Sequence, residues 1–241
     1  MSRIDPPNGP RASSAVPSPD PRSSPTPFPL DPDALSWDDV TSTLVALIVD
    51  DLLQGHVAVP TVVAFAGDDP VAIVGLRPFD PGDVGQALVE VLSLLVPLGA
   101  DRLAFGTTGR IWSLDDPIVP VCEEGDLRQR AIVLALADAH GDACTLTTSI
   151  HPFEGTGADL ALLPPLTIDG SDPDGARLDE HIAASGPAAA MLVGALEQRD
   201  ELAELTEPRE LVAQLGRVLL LGHDLALAPD PAASLTAAST R

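Results

Sequence analysis

Apolar runs in this sequence come in pairs separated by turn residues, and that pairing restricts the fold more than any other feature. Residues 57–66 and 71–76 flank Gly67, Asp68, Asp69 and Pro70, while residues 128–137 and 143–151 are joined at His140, Gly141 and Asp142. Links this short join antiparallel strands, because a parallel crossover needs a dozen residues or more. A third pair, 101–106 and 110–114, is expected around Thr107, Thr108 and Gly109. The 57–66 and 71–76 runs are almost continuously apolar, which points to burial on both faces. Pro60 places the first of them at a sheet edge or a bulge.

Helical spacing interrupts this pattern twice. Ser36 followed by Asp39 resembles a capping box, and Trp37, Val40, Leu44, Leu47, Ile48 and Leu52 recur at helical intervals up to a stop at Gly55. Asp80 and Pro81 open a second helix with Val84, Leu88, Val91, Leu92 and Leu95 on its apolar side, ended by Pro97 and Gly99. Residues 152–173 read as loop, and helical patterns return at 175–184, 187–205 and 207–225, with Ser185 and Thr206 as candidate caps. The expected fold is therefore α+β. A mostly antiparallel sheet of hairpins is packed with helices on one face, followed by a C-terminal antiparallel helix pair.

Ten prolines between Pro6 and Pro32 remove backbone donors from a tract too poor in apolar residues to offset its ordering entropy. Residues 1–34 are expected to be a disordered Pro/Ser-rich leader, with P-x-x-P spacing at Pro7/Pro10 and Pro29/Pro32. Residues 35–227 form a single α+β domain with a helical subdomain at 156–227, and 228–241 form a disordered tail.

Charge narrows the functions. The chain has 13 basic residues, all Arg, against 36 acidic ones, a formal charge of −23. Such a chain repels phosphate backbones and anionic lipid, so ordinary nucleic-acid and membrane-surface partners are excluded. The Lys-free, Ala/Pro/Asp-rich bias fits a high-GC genome. Apolar stretches at 44–49 and 89–98 are too short to span a bilayer, and no apolar signal region opens the chain. Cys122 and Cys144 give no disulfide framework, and the expected location is cytoplasmic, with both thiols reduced.

The densest polar chemistry lies between His140 and Glu154, with Asp142, Cys144, Thr145, Thr147, Ser149 and His151 between them. His140, Cys144 and His151 are the candidate catalytic residues. Cys144 and His151 are an odd number of residues apart, so a strand puts them on opposite faces. Ser149 and His151 share a face but are expected to point the same way rather than toward each other. The plainer reading is a hairpin with one solvated face. His140, Asp142 and Cys144 alternate as metal ligands would, yet they lie in a turn and no zinc spacing is present. Asp115, Asp116, Glu123, Glu124 and Asp126 lack the calcium-loop pattern and read as a solvated loop. Residues 106–110 cannot be a phosphate loop without Lys. Arg102, Arg110, Arg128 and Arg130 concentrate scarce positive charge, for carboxylate pairing rather than for an anionic ligand. His56, His181 and His223 have no partner pattern, and no cofactor or metal is expected.

These observations favour a non-catalytic protein acting through a protein partner or as a homo-oligomer. The apolar run at 211–227 supplies either core or interface. The alternatives are a hydrolase-type enzyme with a site near His140, Cys144 and His151, and an acidic nucleic-acid mimic that binds a basic protein.

Overall fold

The computed structural model describes residues 35–79, 83–113, 128–141, 143–169, 181–183, 186–204 and 208–227. The leader, the tail, Cys122 and the acidic residues between Asp115 and Asp126 lie outside the described residues. Among those described, the architecture is mixed α+β. Helix α1 (Val40–Leu53) is followed by the hairpin β1 (Thr61–Ala66) and β2 (Asp69–Gly75), then by α2 (Val84–Leu95). Three long strands follow, β3 (Arg102–Ser113), β4 (Arg130–His140) and β5 (Ala143–Glu154). Short strands β6 (Ala161–Leu162), β7 (Leu166–Asp169) and β8 (His181–Ala183) precede helices α3 (Gly186–Glu197), α4 (Arg199–Glu204) and α5 (Pro208–Leu220), and β9 (Asp224–Leu227) closes the series.

All described strand pairs are antiparallel, in the order β6-β5-β4-β3-β1-β2-β9, with β7 also on β5 and β8 on β3. Alternation sorts the central strands onto two faces. Val63, Phe65, Ile73, Ala104, Ile132 and Leu134 meet Val40, Leu44, Ile48 and Leu52 of α1. Val62, Ala64, Ala72, Val74, Leu103, Phe105, Ala135 and Ala137 meet α2 and the Ala188, Ala189, Leu192 and Leu196 side of α3. The expectation of helices on one face is thus corrected: the sheet is covered on both. The continuous apolar runs require this, since one solvated face would have left every second residue in water.

Four further expectations change. Residues 101–114 do not form a strand pair around Thr107 to Gly109. Residues 102–113 lie in one strand, β3, in unbroken register with β4 from Arg102↔Asp138 to Arg110↔Arg130. Thr107 and Thr108 are β-branched and suit a strand, and the partner ladder outweighs the weak turn signal. Pro60 itself sits at neither an edge nor a bulge, although its run carries a register shift between Ala64 and Phe65. It lies just before β1, a central strand, and its carbonyl accepts a bond from the Leu76 N–H at 2.8 Å. Of the helical pattern at 175–184, residues 181–183 are instead β8. The pattern at 207–225 ends at Leu220, after which Gly222 turns at φ 91° and β9 joins the edge of β2.

Local signals explain the termini. Ser36 Oγ accepts the Asp39 N–H at 3.3 Å and donates to its carboxylate at 2.8 Å, ordering a turn before α1 begins at Val40. Gly55 (φ 75°) follows its end, and Gly141 (φ 59°) follows β4 in the β4–β5 hairpin.

Gly106 has a packing role. A Cβ there would lie 3.0 Å from Leu134 Cδ2 and 3.3 Å from Ile48 Cδ1, both in the closed layer beneath α1. Gly106→Ala is expected to destabilise the chain by about 1–3 kcal/mol through overpacking. Gly194→Ala, where a Cβ meets nothing within 4 Å, should stabilise α3 by about 0.5–1 kcal/mol. Urea denaturation of both variants checks the opposite signs.

Candidate functional site

Because α1 covers the middle of the sheet, the same face of β5 is left partly open. Thr145, Thr147, Ser149 and His151 alternate along it, opposite Asp138, Leu136, Leu134 and Ile132 of β4. With Trp37 from the turn before α1 and Thr41 from its first turn, the first three of these residues, Leu136 and Asp138 line a groove of about 260 Å³. Trp37 forms one wall. Its ring meets Phe65 edge-on at 5.3 Å, and the Arg102 guanidinium lies 5.5 Å from its centre. Arg102 also pairs with Asp68 at 2.6 Å and lies 3.3 Å from Asp138, so this arginine serves carboxylates, as its position in an acidic chain suggested.

The groove does not gather the three candidate catalytic residues. His140 is 83% exposed at the hairpin tip, 3.8 Å from Asp138. His151 faces the same way but pairs with Ile132 while His140 pairs with Ala143, which puts the two about 26 Å apart along the strands. Cys144 faces the opposite side, toward α3. There it lines a cleft of about 430 Å³ with Leu146, Ala190, Val193, Gly194 and Glu197. Burial, reinforced by Glu197 and Asp138, pushes the Cys144 thiol up from its ordinary value, the reverse of what a nucleophile needs.

One contact differs from expectation. Ser149 Oγ and His151 Nε2 are 2.9 Å apart, because neighbours at i, i+2 on a twisted strand can lean together. Burial holds His151 below its ordinary pKa and favours the neutral ring. Among the described residues no carboxylate orients that ring, and Ser149 is only 5% exposed. The pair satisfies a buried hydroxyl and a half-buried ring and offers no open nucleophile.

A second polar cluster was not legible as such. Glu90, inside the apolar pattern of α2, accepts from Arg77 Nε at 2.9 Å and Nη2 at 3.0 Å. His223 Nε2 lies 3.0 Å from the same carboxylate, while His223 Nδ1 accepts the Arg77 backbone N–H at 3.2 Å. In that arrangement Nδ1 is the acceptor for the backbone, and Nε2 faces the carboxylate. The cluster ties the α5–β9 turn to α2 and to the end of β2. A lone Glu amid leucines was the available signal. Among the remaining residues, Arg110 and Arg130 are direct cross-strand partners, Arg130 lies 4.5 Å over Phe153, and His56 is exposed.

Among the described residues no three His, Cys, Asp or Glu side chains are grouped to hold a metal ion, and no helix is long and apolar enough to cross a membrane. No family model, curated protein or solved structure matches the chain.

The Arg77 guanidinium beside Glu90 holds its carboxyl down to about 2, against an ordinary 4.5. A carboxylate with a lowered folded-state pKa contributes stability above its unfolded value, lost as pH falls through the folded one. Melting temperature should therefore fall between pH 4.5 and about 2, less steeply in Glu90→Gln. At pH 7 that variant should lose about 2 kcal/mol in urea denaturation, because Arg77 and His223 lose a charged acceptor.

Proposed function

We propose that this is a non-catalytic cytoplasmic protein acting through protein–protein contact, with another protein or with copies of itself. In this reading residues 35–227 work as one unit, and the C-terminal helices, as an antiparallel pair, present the contact surface. The observation that carries it lies in the 211–227 run. Leu211 and Val218 are buried, yet Val212 is 69%, Leu219 51%, Leu220 90% and Leu221 37% exposed. Half of the run completes the core, and half places large apolar side chains in water on one short segment. Single exposed hydrophobes are ordinary, whereas a cluster on one element marks a contact surface.

A hydrolase-type reading keeps one favourable observation, the Ser149–His151 contact, but the dispersal of His140, Cys144 and His151 gives it no assembled site. The acidic-mimic reading calls for rows of carboxylates. The described ones include residues on helices (Asp50, Asp51, Glu90, Glu197, Glu210), on strands (Asp138, Glu154, Asp224) and in turns (Asp68, Asp83, Asp101), a spread that does not favour that reading.

Light scattering after size exclusion, on the full chain with and without lysate, tests the proposal. The expected result is a mass above one chain under at least one condition, lost in a Val212→Asp/Leu220→Asp variant with an unchanged circular dichroism spectrum. A strict monomer under both conditions contradicts it.

A further inference from the structure

The groove beside the start of α1 holds hydrogen-bonding groups that the fold leaves unused, and what they fit does not depend on the α5 contact proposed above. Its volume of about 260 Å³ falls just below the roughly 300–1,000 Å³ of pockets that take drug-sized ligands. Such a space suits a single ring with its substituents. It lies over the part of β4 and β5 that α1 does not cover, with Trp37 and Thr41 on the helix side and Leu136, Asp138 and Thr147 on the sheet side.

Apolar and polar groups are interleaved across this lining. Trp37 and Leu136, both half-buried, supply the apolar part. Thr41 and Thr147 are half-buried too, and among the described residues neither hydroxyl has a hydrogen-bond partner. Each can donate and accept. Asp138 divides its two oxygens. Oδ1 is buried, with Arg102 Nε 3.3 Å away. Oδ2 accepts no hydrogen bond from the described residues, on a side chain that is 25% exposed. Ser149 is already engaged with His151. A free carboxylate oxygen and two free hydroxyls thus border one space walled by an indole and a leucine. In such a site the polar groups set a ligand's orientation and the apolar ones its burial.

Charge selects the ligand further. Asp38 and Asp39 are exposed next to Trp37 in the chain, and Asp68 and Asp138 flank Arg102. An anion would meet carboxylates here, and Arg102 is already committed to two of them. A cation gains little from Asp138, whose charge Arg102 balances. A neutral ring carrying several hydroxyls satisfies every group. Its hydroxyls donate to Asp138 Oδ2 and exchange bonds with Thr41 and Thr147, while its C–H surface covers Leu136 and Trp37. Pyranose sugars and cyclic polyols have that division of surface.

We infer that this groove binds a neutral cyclic polyol of monosaccharide size, with Asp138 Oδ2 accepting from a ligand hydroxyl and Thr41 and Thr147 completing the hydrogen bonds. A ligand with so few atoms and contacts binds with a dissociation constant in about the millimolar range. Added salt changes that binding little, because the ligand carries no charge to be screened.

Titration of the isotopically labelled full chain with glucose, galactose, N-acetylglucosamine and myo-inositol in turn, followed by amide and indole N–H shifts in NMR spectra, tests the inference. At least one of the four should give saturable shifts at Trp37, residues 136–138 and residues 145–149. A phosphate ester of the compound that binds should bind about tenfold or more weakly, because its charge meets the surrounding carboxylates. Thr147→Val and Thr41→Val each remove one hydroxyl at nearly constant size and should each raise the dissociation constant about fivefold to tenfold. Thr147→Ser keeps the hydroxyl and should retain most of the affinity, which a merely misfolded strand would not do. No saturable shift with any of the four overturns the inference. Saturation that leaves these residues unshifted, or that is indifferent to both threonines, overturns the placement in the groove. Tighter binding of the phosphate ester overturns the neutral class of ligand.

Discussion

Burial of both faces of one antiparallel sheet is the constraint on which the rest of the molecule depends. Phe65, Ile73 and Leu134 on one side, and Val74, Leu103 and Phe105 on the other, each need a cover. α1 supplies the first, and α2 with α3 the second. The core has few large anchors, with five Phe, two Trp and no Tyr in the chain. It closes instead by bringing small residues together. Gly106 admits Leu44 and Ile48 against the sheet, and Ala104, Ala135 and Ala137 keep the layers near. Such cores are sensitive to added volume because every gap is already occupied.

Electrostatics follows from the same economy. With 13 Arg, no Lys and 36 carboxylates, each cation near the core is shared among several partners. Arg102 bridges the β1–β2 turn, β4 and Trp37, and Arg77 joins Glu90 while its backbone N–H seats His223. This second cluster ties the turn after α5 to α2 and to the end of β2. The polar groove beside α1 holds Asp138, which Arg102 approaches at 3.3 Å, and its Ser149–His151 pair is internally satisfied.

Much of the architecture was legible in the sequence because hairpins and helix stops are local. The Gly67–Asp68 turn, the Gly141 corner, the Gly55 and Gly99 stops and the alternation of β5 all follow from neighbours in the chain. Non-local features were hidden. The Thr107–Gly109 stretch reads as a turn until β4 is laid beside it, and 224–225 reads as the end of a helix until β2 offers an edge. The opposite-face placement of Cys144 and His151 followed from parity alone. The Arg77–Glu90–His223 cluster brings His223 to residues more than a hundred positions away, and no spacing rule could have placed it there. The division of 211–221 into inward and outward leucines needed the position of α2.

Amide hydrogen exchange of the full chain, compared between dilute solution, concentrated solution and lysate, tests most directly whether α5 is a contact surface. The account predicts slower exchange across 209–220 in concentrated solution or in lysate, with the β4–β5 hairpin and α1 unchanged. Exchange in α5 that is independent of both, or protection gained at the groove or hairpin instead, would contradict it.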